Sequence, residues 1–197
     1  MGGDRGQRVI QFKGGNAPMI IAEAQADLRR AYVGGGPGAI VSGTLWFVAA
    51  WVEANHGIRT AFIALFFGGM LIYPLGLAAS RLLFRRAAEA KTNPMGPVAL
   101  ESTIAMIGCL LAAWLILPVR PEMVFPIAAV AVGTHYFVFK TAYGDRTYWL
   151  LAALITAVGL AAIFNVATLP GGLILAVGVI EVIFGILLTM RALKAGR

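Results

Sequence analysis

Charge is what this sequence has least of. Only 13% of its 197 residues are Asp, Glu, Lys or Arg, against about 25% in an ordinary soluble domain. Cysteine occurs once, at Cys109, which excludes an intrachain disulfide framework and a thiolate metal cluster. The expectation for Cys109 is a small buried apolar side chain. Histidine occurs twice, and His56 falls in an outer loop far from His135, so a bis-His haem within one chain fails on geometry. Walker A, Rossmann, zincin, Gly-x-Ser-x-Gly and selectivity-filter signatures are all missing. Without a nucleophile–base pair or a metal constellation, no enzyme activity, metal or cofactor is expected. The first 15 residues are Gly-rich and charged, unlike the apolar core of a cleavable signal peptide. They read as a disordered cytoplasmic tail, 1–15.

What the chain has instead is apolar length. It is 59% hydrophobic, with a mean hydropathy of +0.82. Charge thins out in six stretches, near 38–54, 60–83, 99–117, 123–140, 147–168 and 171–190, each close to the roughly 20 residues that cross a bilayer. Turn or charge signals separate them: Asn55-His56-Gly57, Lys91-Thr92-Asn93-Pro94, Pro118-Val119-Arg120-Pro121, Tyr143-Gly144-Asp145 and Pro170-Gly171-Gly172. The expected fold is all-α, a polytopic transmembrane bundle over 38–190 whose six spans pair as three hairpins. A helix-and-turn segment, 16–37, precedes it and a short cytoplasmic tail, 191–197, follows. The quartets Val48–Trp51, Leu111–Trp114 and Leu160–Ile163 echo one another near the outer ends of spans one, three and five. Either a threefold parallel repeat or coincidence in an Ala-rich chain accounts for them.

Basic residues outnumber acidic ones, 16 to 9, and their placement says why. Fourteen lie before span one or after spans two, four and six; only Arg59 and Arg120 fall on the other side. That alternation follows the positive-inside rule and puts both termini in the cytoplasm of a multi-pass plasma (inner) membrane protein. Basic residues with interleaved base-stacking aromatics are lacking, so nucleic acid is not an expected partner. The expected partners are the lipid bilayer, anionic headgroups on the cytoplasmic side, and a second copy of the chain in a homo-oligomer.

Asn16-Ala17-Pro18 has the form of a helix start. From Met19 to Val33, one arc of about 120° collects Ile20, Ile21, Ala24, Leu28, Ala31 and Tyr32 and leaves Glu23, Asp27, Arg29 and Arg30 outside it. Such an amphipathic helix lies in the membrane interface or caps the inner end of the bundle. Gly34-Gly35-Gly36-Pro37-Gly38 then makes a sharp turn, with an anion nest as the less favoured reading.

Within the membrane, Glu181 stands in the otherwise uncharged run Gly171–Met190, where a carboxylate costs about 2.5 kcal/mol or more. Gly171, Gly178 and Gly185 recur every seven residues on the face that carries Glu181. Small residues of this kind mark a helix-packing seam. His135 lies at a matching depth, roughly 15–18 Å below the outer surface at about 1.5 Å per residue, and is its candidate partner. Glu101 shares a face with Ala105, Gly108 and Ala112 and reads as a helix N-terminal charge or a third member of the polar site. Asn165 is expected to bond between helices. Trp51, Trp114, Tyr148 and Trp149 are expected at the interfaces. Pro74 and Pro126 should kink spans two and four and serve as shape or hinge.

The stretch Ala26-Asp27-Leu28-Arg29-Arg30-Ala31-Tyr32-Val33-Gly34-Gly35-Gly36-Pro37-Gly38, continuing into Ser42-Gly43 and Trp46, resembles an uncharacterised bacterial family of small six-helix membrane proteins. The resemblance covers nearly the whole chain and implies the fold, but no activity, substrate or functional residue. Two functions compete. One is a small, proton-coupled transporter or channel-like protein with Glu181 titrating, His135 as relay, Glu101 as a cytoplasmic gate and Pro74 and Pro126 as hinges. The other is a non-catalytic scaffold or accessory subunit in which Glu181 and the glycine seam fix packing or oligomerisation. A hydrated cavity at Glu181 favours the first; a dry glycine-lined contact favours the second.

Overall fold

The computed structural model describes residues 19–165 and 172–195. The expectations for the tail 1–15, Asn16, Pro18, Gly171 and Arg197 lie outside them. The described residues form α-helices, short 3₁₀ turns and one π turn, without a strand. The α-helices are α1 (Ile21–Ala31), α2 (Gly36–Gly69), α3 (Ile72–Ala78), α4 (Met95–Ile116), α5 (Val124–Tyr143), α6 (Thr147–Ile163) and α7 (Gly172–Ala195). Four helical runs are long and apolar enough to cross a membrane: Val33–Gly69, Met95–Ile116, Pro121–Tyr143 and Gly172–Ala195. Ile72–Leu83 and Thr147–Ile163 are apolar but shorter.

The 34-residue α2 is two helices joined at Gly57, which takes φ 79° and ψ 168°. A straight helix would carry residue 76 more than 50 Å from residue 38. Instead, a Cβ on Gly76 would lie 3.1 Å from the Gly38 Cα, and one on Gly68 would lie 2.9 Å from Leu45. The chain therefore doubles back at Gly57, within the expected Asn55-His56-Gly57 break. The returning arm is interrupted again at Met70–Leu71. Pro74 has no N–H for the Met70 carbonyl and its ring crowds that position, so Met70 and Leu71 bond three residues back, to Phe67 and Gly68. Pro126 behaves differently from the expected kink. It sits in the first turn of α5, where its missing N–H interrupts no intrahelical bond.

α5 and α6 are antiparallel and closely packed. Gly159 lies against Pro126 and Val130, Gly133 lies against Thr156, and Gly144 turns the chain between them at φ 65°. α7 packs chiefly on the first arm of α2 and less on α6, while α4 leans on α5 at the edge of the bundle. Two aromatic clusters hold the helices together. Trp46 and Phe62 meet Phe125 at 6.1 and 6.0 Å between ring centres. Tyr136, Tyr143 and Tyr148 stack near the α5–α6 turn. Tyr148 is buried and donates to the Gly34 carbonyl at 2.6 Å, so it belongs to the core and not to the expected interfacial belt; its neighbour Trp149 is exposed.

Two further expectations change. Cys109 is exposed, because α4 turns most of its surface outward. Asn165 ends α6 as an exposed residue at φ 53°, a left-handed conformation that Asn tolerates, and bonds to no other helix among the described residues.

Candidate functional site

Glu181 is wholly buried, and glycines bring α7 close enough to α2 to seal it. A Cβ on Gly43 would lie 2.7 Å from the Gly178 carbonyl oxygen, and a Cβ on Gly185 would lie 2.9 Å from the Gly36 carbonyl oxygen. Gly36 and Gly43 are seven apart, as are Gly178 and Gly185, so the antiparallel helices touch backbone to backbone at both contacts. Glu181 is set between them along α7. This spacing needs residues without side chains at all four positions, which is the small-residue packing expected where apolar burial gives no net drive.

The carboxylate is met from α5 by Tyr136, whose hydroxyl donates to Glu181 Oε1 at 2.8 Å. Ser42, buried on α2, flanks both groups. Glu181 Oε2 has no hydrogen-bond partner among the described residues. The expected partner, His135, is elsewhere: its Nδ1 lies 2.7 Å from Ser102 Oγ on α4, and its ring meets Phe139 edge-on at 4.6 Å. Depth matched, but His135 and Tyr136 project about 100° apart on the helix. A buried Tyr needs a partner for its hydroxyl, and that was the signal in the sequence pointing to Tyr136. Glu101 is exposed on α4 and joins neither pair. The three acidic and imidazole groups read together from the sequence are therefore three separate places. Pro74 is exposed beside the break it causes, and Pro126 is buried at the α5 start.

The Gly34-Gly35-Gly36 segment is a packed turn. Gly34 and Gly35 take φ 66° and 76°, and the Gly34 carbonyl is occupied by Tyr148.

A second polar network clamps α1 to the end of the bundle that carries the α5–α6 turn. Ala24, Leu28 and Ala31 are buried against it, while Ile20 and Ile21 stay exposed. Asp27 Oδ2 accepts from Ala90 N at 2.8 Å and Asn93 Nδ2 at 3.0 Å, and Oδ1 pairs with Arg30 at 2.5 Å. Asn93 Nδ2 also donates to the Ala24 carbonyl at 2.9 Å. Arg30 reaches the carbonyls of Ala87 and Ala88 at 3.1 and 2.9 Å. Burial works against the Asp27 charge, but the bonds from Ala90, Arg30 and Asn93 outweigh it and hold its pKa below the ordinary value. Glu89, nearby, goes the other way: burial, joined by the Asp27 charge, raises its pKa against the opposing pull of Tyr32 and Arg81.

Two clefts lie at the ends of the bundle, one of about 460 Å³ around Leu115, Val119 and Arg120, the other of about 540 Å³ around Arg29, Arg146 and Arg191. Neither is lined by Glu181 or His135. Among the described residues, no three His, Cys, Asp or Glu side chains converge as a metal site.

Residues 21–191 match the family model described as "Family of unknown function (DUF7010)". The chain belongs to this family. The match runs from the start of α1 into the last turns of α7, so the clamp, the glycine seam and the Tyr136–Glu181 pair all fall within the DUF7010 region. No curated protein and no solved structure matches the chain.

Proposed function

We propose that the chain is an integral membrane protein that crosses the bilayer six times with both termini cytoplasmic, and that it serves as a non-catalytic scaffold or accessory subunit. The reversals at Gly57 and Gly144 support the added crossings. With Gly57 as an outer turn, Gly36–His56 and Ile58–Leu83 become separate crossings, and Thr147–Ile163 becomes the fifth. Exposed Ile20 and Ile21 on the docked α1 suit a helix whose outer edge dips into the headgroup region. One observation carries the functional reading: Glu181 is sealed between glycine contacts, where a transported proton or ion would need a path to water. In this setting the carboxyl is a fixed point that joins α7 to α5 and α2.

A proton-coupled carrier is favoured by one observation, the unpartnered Oε2 of Glu181, which is where water or a proton would sit. Proton flux into liposomes separates the two readings. The scaffold reading expects flux no greater than in protein-free vesicles, unchanged in Glu181→Gln, and altered assembly or thermal stability in Gly178→Leu. Flux that requires Glu181 would reverse the assignment.

A further inference from the structure

The 540 Å³ cleft at the inner end is built from four parts of the chain: the Gly34 turn, the Gly144–Thr147 connection, Arg29 of α1 and the last turns of α7. Its wall is small and apolar, made by Leu188, Ala192 and Ala195. Its rim carries three guanidinium groups, Arg29, Arg146 and Arg191, against a single carboxylate, Asp145.

These groups are not equally free. Asp145 Oδ1 accepts from Thr147 N at 2.9 Å and faces Arg191 at 3.3 Å, so its charge is already partly matched. Arg191 also donates to the Thr147 hydroxyl. Arg29 donates to the Tyr143 carbonyl, and its Nη1 lies 2.9 Å from where a Cβ on Gly144 would stand. The glycine thus leaves a seat for that guanidinium. Arg146 makes no side-chain hydrogen bond or ion pair among the described residues and is exposed. Three cations around an apolar wall suit a ligand with an anionic, oxygen-rich head and an apolar body. Arginine forks match phosphate oxygens two at a time, and the N-terminus of the 17-residue α6 opens at the same place.

The level of the cleft fits a bilayer surface. Trp149, two residues beyond Thr147, is exposed and has the Lys140 ammonium over its ring at 5.2 Å. Exposed Trp is enriched at headgroup depth, and a Lys stem can lie along apolar surface there with its ammonium in water. We infer that this cleft binds the phosphate of an anionic phospholipid in the cytoplasmic leaflet. The inference rests on the proposed membrane insertion, and on its orientation for the choice of leaflet.

The test uses the full chain in nanodiscs, where lipid reaches both faces whatever the orientation in the cell. Thermal unfolding is followed in phosphatidylcholine alone, with added phosphatidylglycerol, and in phosphatidylcholine with millimolar inorganic phosphate. Phosphatidylglycerol should raise the midpoint by about 5 °C, and Arg146→Gln should remove most of that rise while melting like the parent in phosphatidylcholine. Arg120→Gln, which removes the same charge at the other end, should keep the rise. A rise given by inorganic phosphate alone, and lost in Arg146→Gln, assigns the seat to the free ion and overturns the lipid assignment. No rise with either anion, or equal loss in Arg120→Gln, overturns it. Orientation is read separately, by impermeant thiol labelling of Lys194→Cys in a Cys109→Ala background. Labelling from outside the cell would move the site to the outer leaflet without touching the binding result.

Discussion

The Tyr136 hydroxyl donates to Glu181 Oε1 at 2.8 Å, joining α5 to α7 at a point where both side chains are buried. A pair of this kind is measured by removing each partner and then both. Tyr136→Phe keeps the ring but leaves both carboxyl oxygens without that donor. Glu181→Met removes the acceptor and keeps the approximate volume. Interhelical hydrogen bonds in membranes are worth about 0.6 kcal/mol on average and up to about 1.7, and this one lies in a sealed contact. Tyr136→Phe should therefore destabilise by about 1–2 kcal/mol, with a similar effect from Glu181→Met, which leaves the buried Tyr136 hydroxyl without its acceptor. The double variant should show a coupling of at least about 0.5 kcal/mol in reversible detergent unfolding. Additive effects would mean that the bond contributes nothing.

The glycine seam makes a prediction with two signs. At Gly43 a methyl group would meet backbone, the Gly178 carbonyl oxygen at 2.7 Å and Val182 N at 2.9 Å, whereas at Gly108 it would meet nothing within 4 Å. Gly43→Ala should destabilise by about 1–3 kcal/mol through overpacking. Gly108→Ala, in an open helix interior, should stabilise by up to about 1 kcal/mol through helix propensity. Melting midpoints that move the same way in both variants would refute the seam as the tight contact.

Much of this architecture was legible because hydropathy, charge bias and glycine spacing are periodic signals. They located the apolar runs, the break at Gly57 and the face shared by Gly178, Glu181 and Gly185. What they carried poorly was azimuth between helices. Depth placed His135 and Tyr136 equally well opposite Glu181, since they differ by one residue, and only the tilt and rotation of α5 against α7 chose Tyr136. The partner glycines Gly36 and Gly43 lay in plain view, but pairing them with Gly185 and Gly178 requires knowing that α7 returns to α2 rather than to its neighbour in sequence. The burial of Tyr148 was hidden for the same reason: its hydroxyl partner, Gly34, is 114 residues away.

The α1 clamp should respond to acid in two opposed ways. The pKa of Asp27 is held below its ordinary value of 3.8, so its contribution is complete above that pH and is lost as pH falls through the lowered value. Asp27→Asn should lower the melting midpoint at pH 7, by about 1 kcal/mol in stability, and the gap should narrow as pH falls below the ordinary value of 3.8. Glu89 has its pKa raised above 4.5, so its ionised form opposes folding and protonation relieves it. Glu89→Gln should be neutral or stabilising at pH 7, with the gain vanishing below about pH 4. Melting curves of both variants from pH 3 to 8 check the signs, and a destabilised Glu89→Gln at pH 7 would contradict the reading.

α4 is the least buried of the four long apolar runs, and Ser102 alone makes its side-chain hydrogen bonds to α5 among the described residues, to His135 Nδ1 at 2.7 Å and to the His135 carbonyl at 3.4 Å. Apolar side chains such as Leu100, Ile104, Ile107, Leu111 and Leu115 are exposed on it, so little of its surface is packed against the bundle. Ser102→Ala removes the hydroxyl while leaving the His135 ring on Phe139. The global melting midpoint should change little, by about 0.6 kcal/mol in stability, because the seam and both aromatic clusters are untouched. Local opening of α4 should rise instead: amide hydrogen exchange across residues 95–105 should speed up by about threefold, while α7 amides around Glu181 keep their parental rates. Equal acceleration in both helices would show that α4 opens only with the whole bundle.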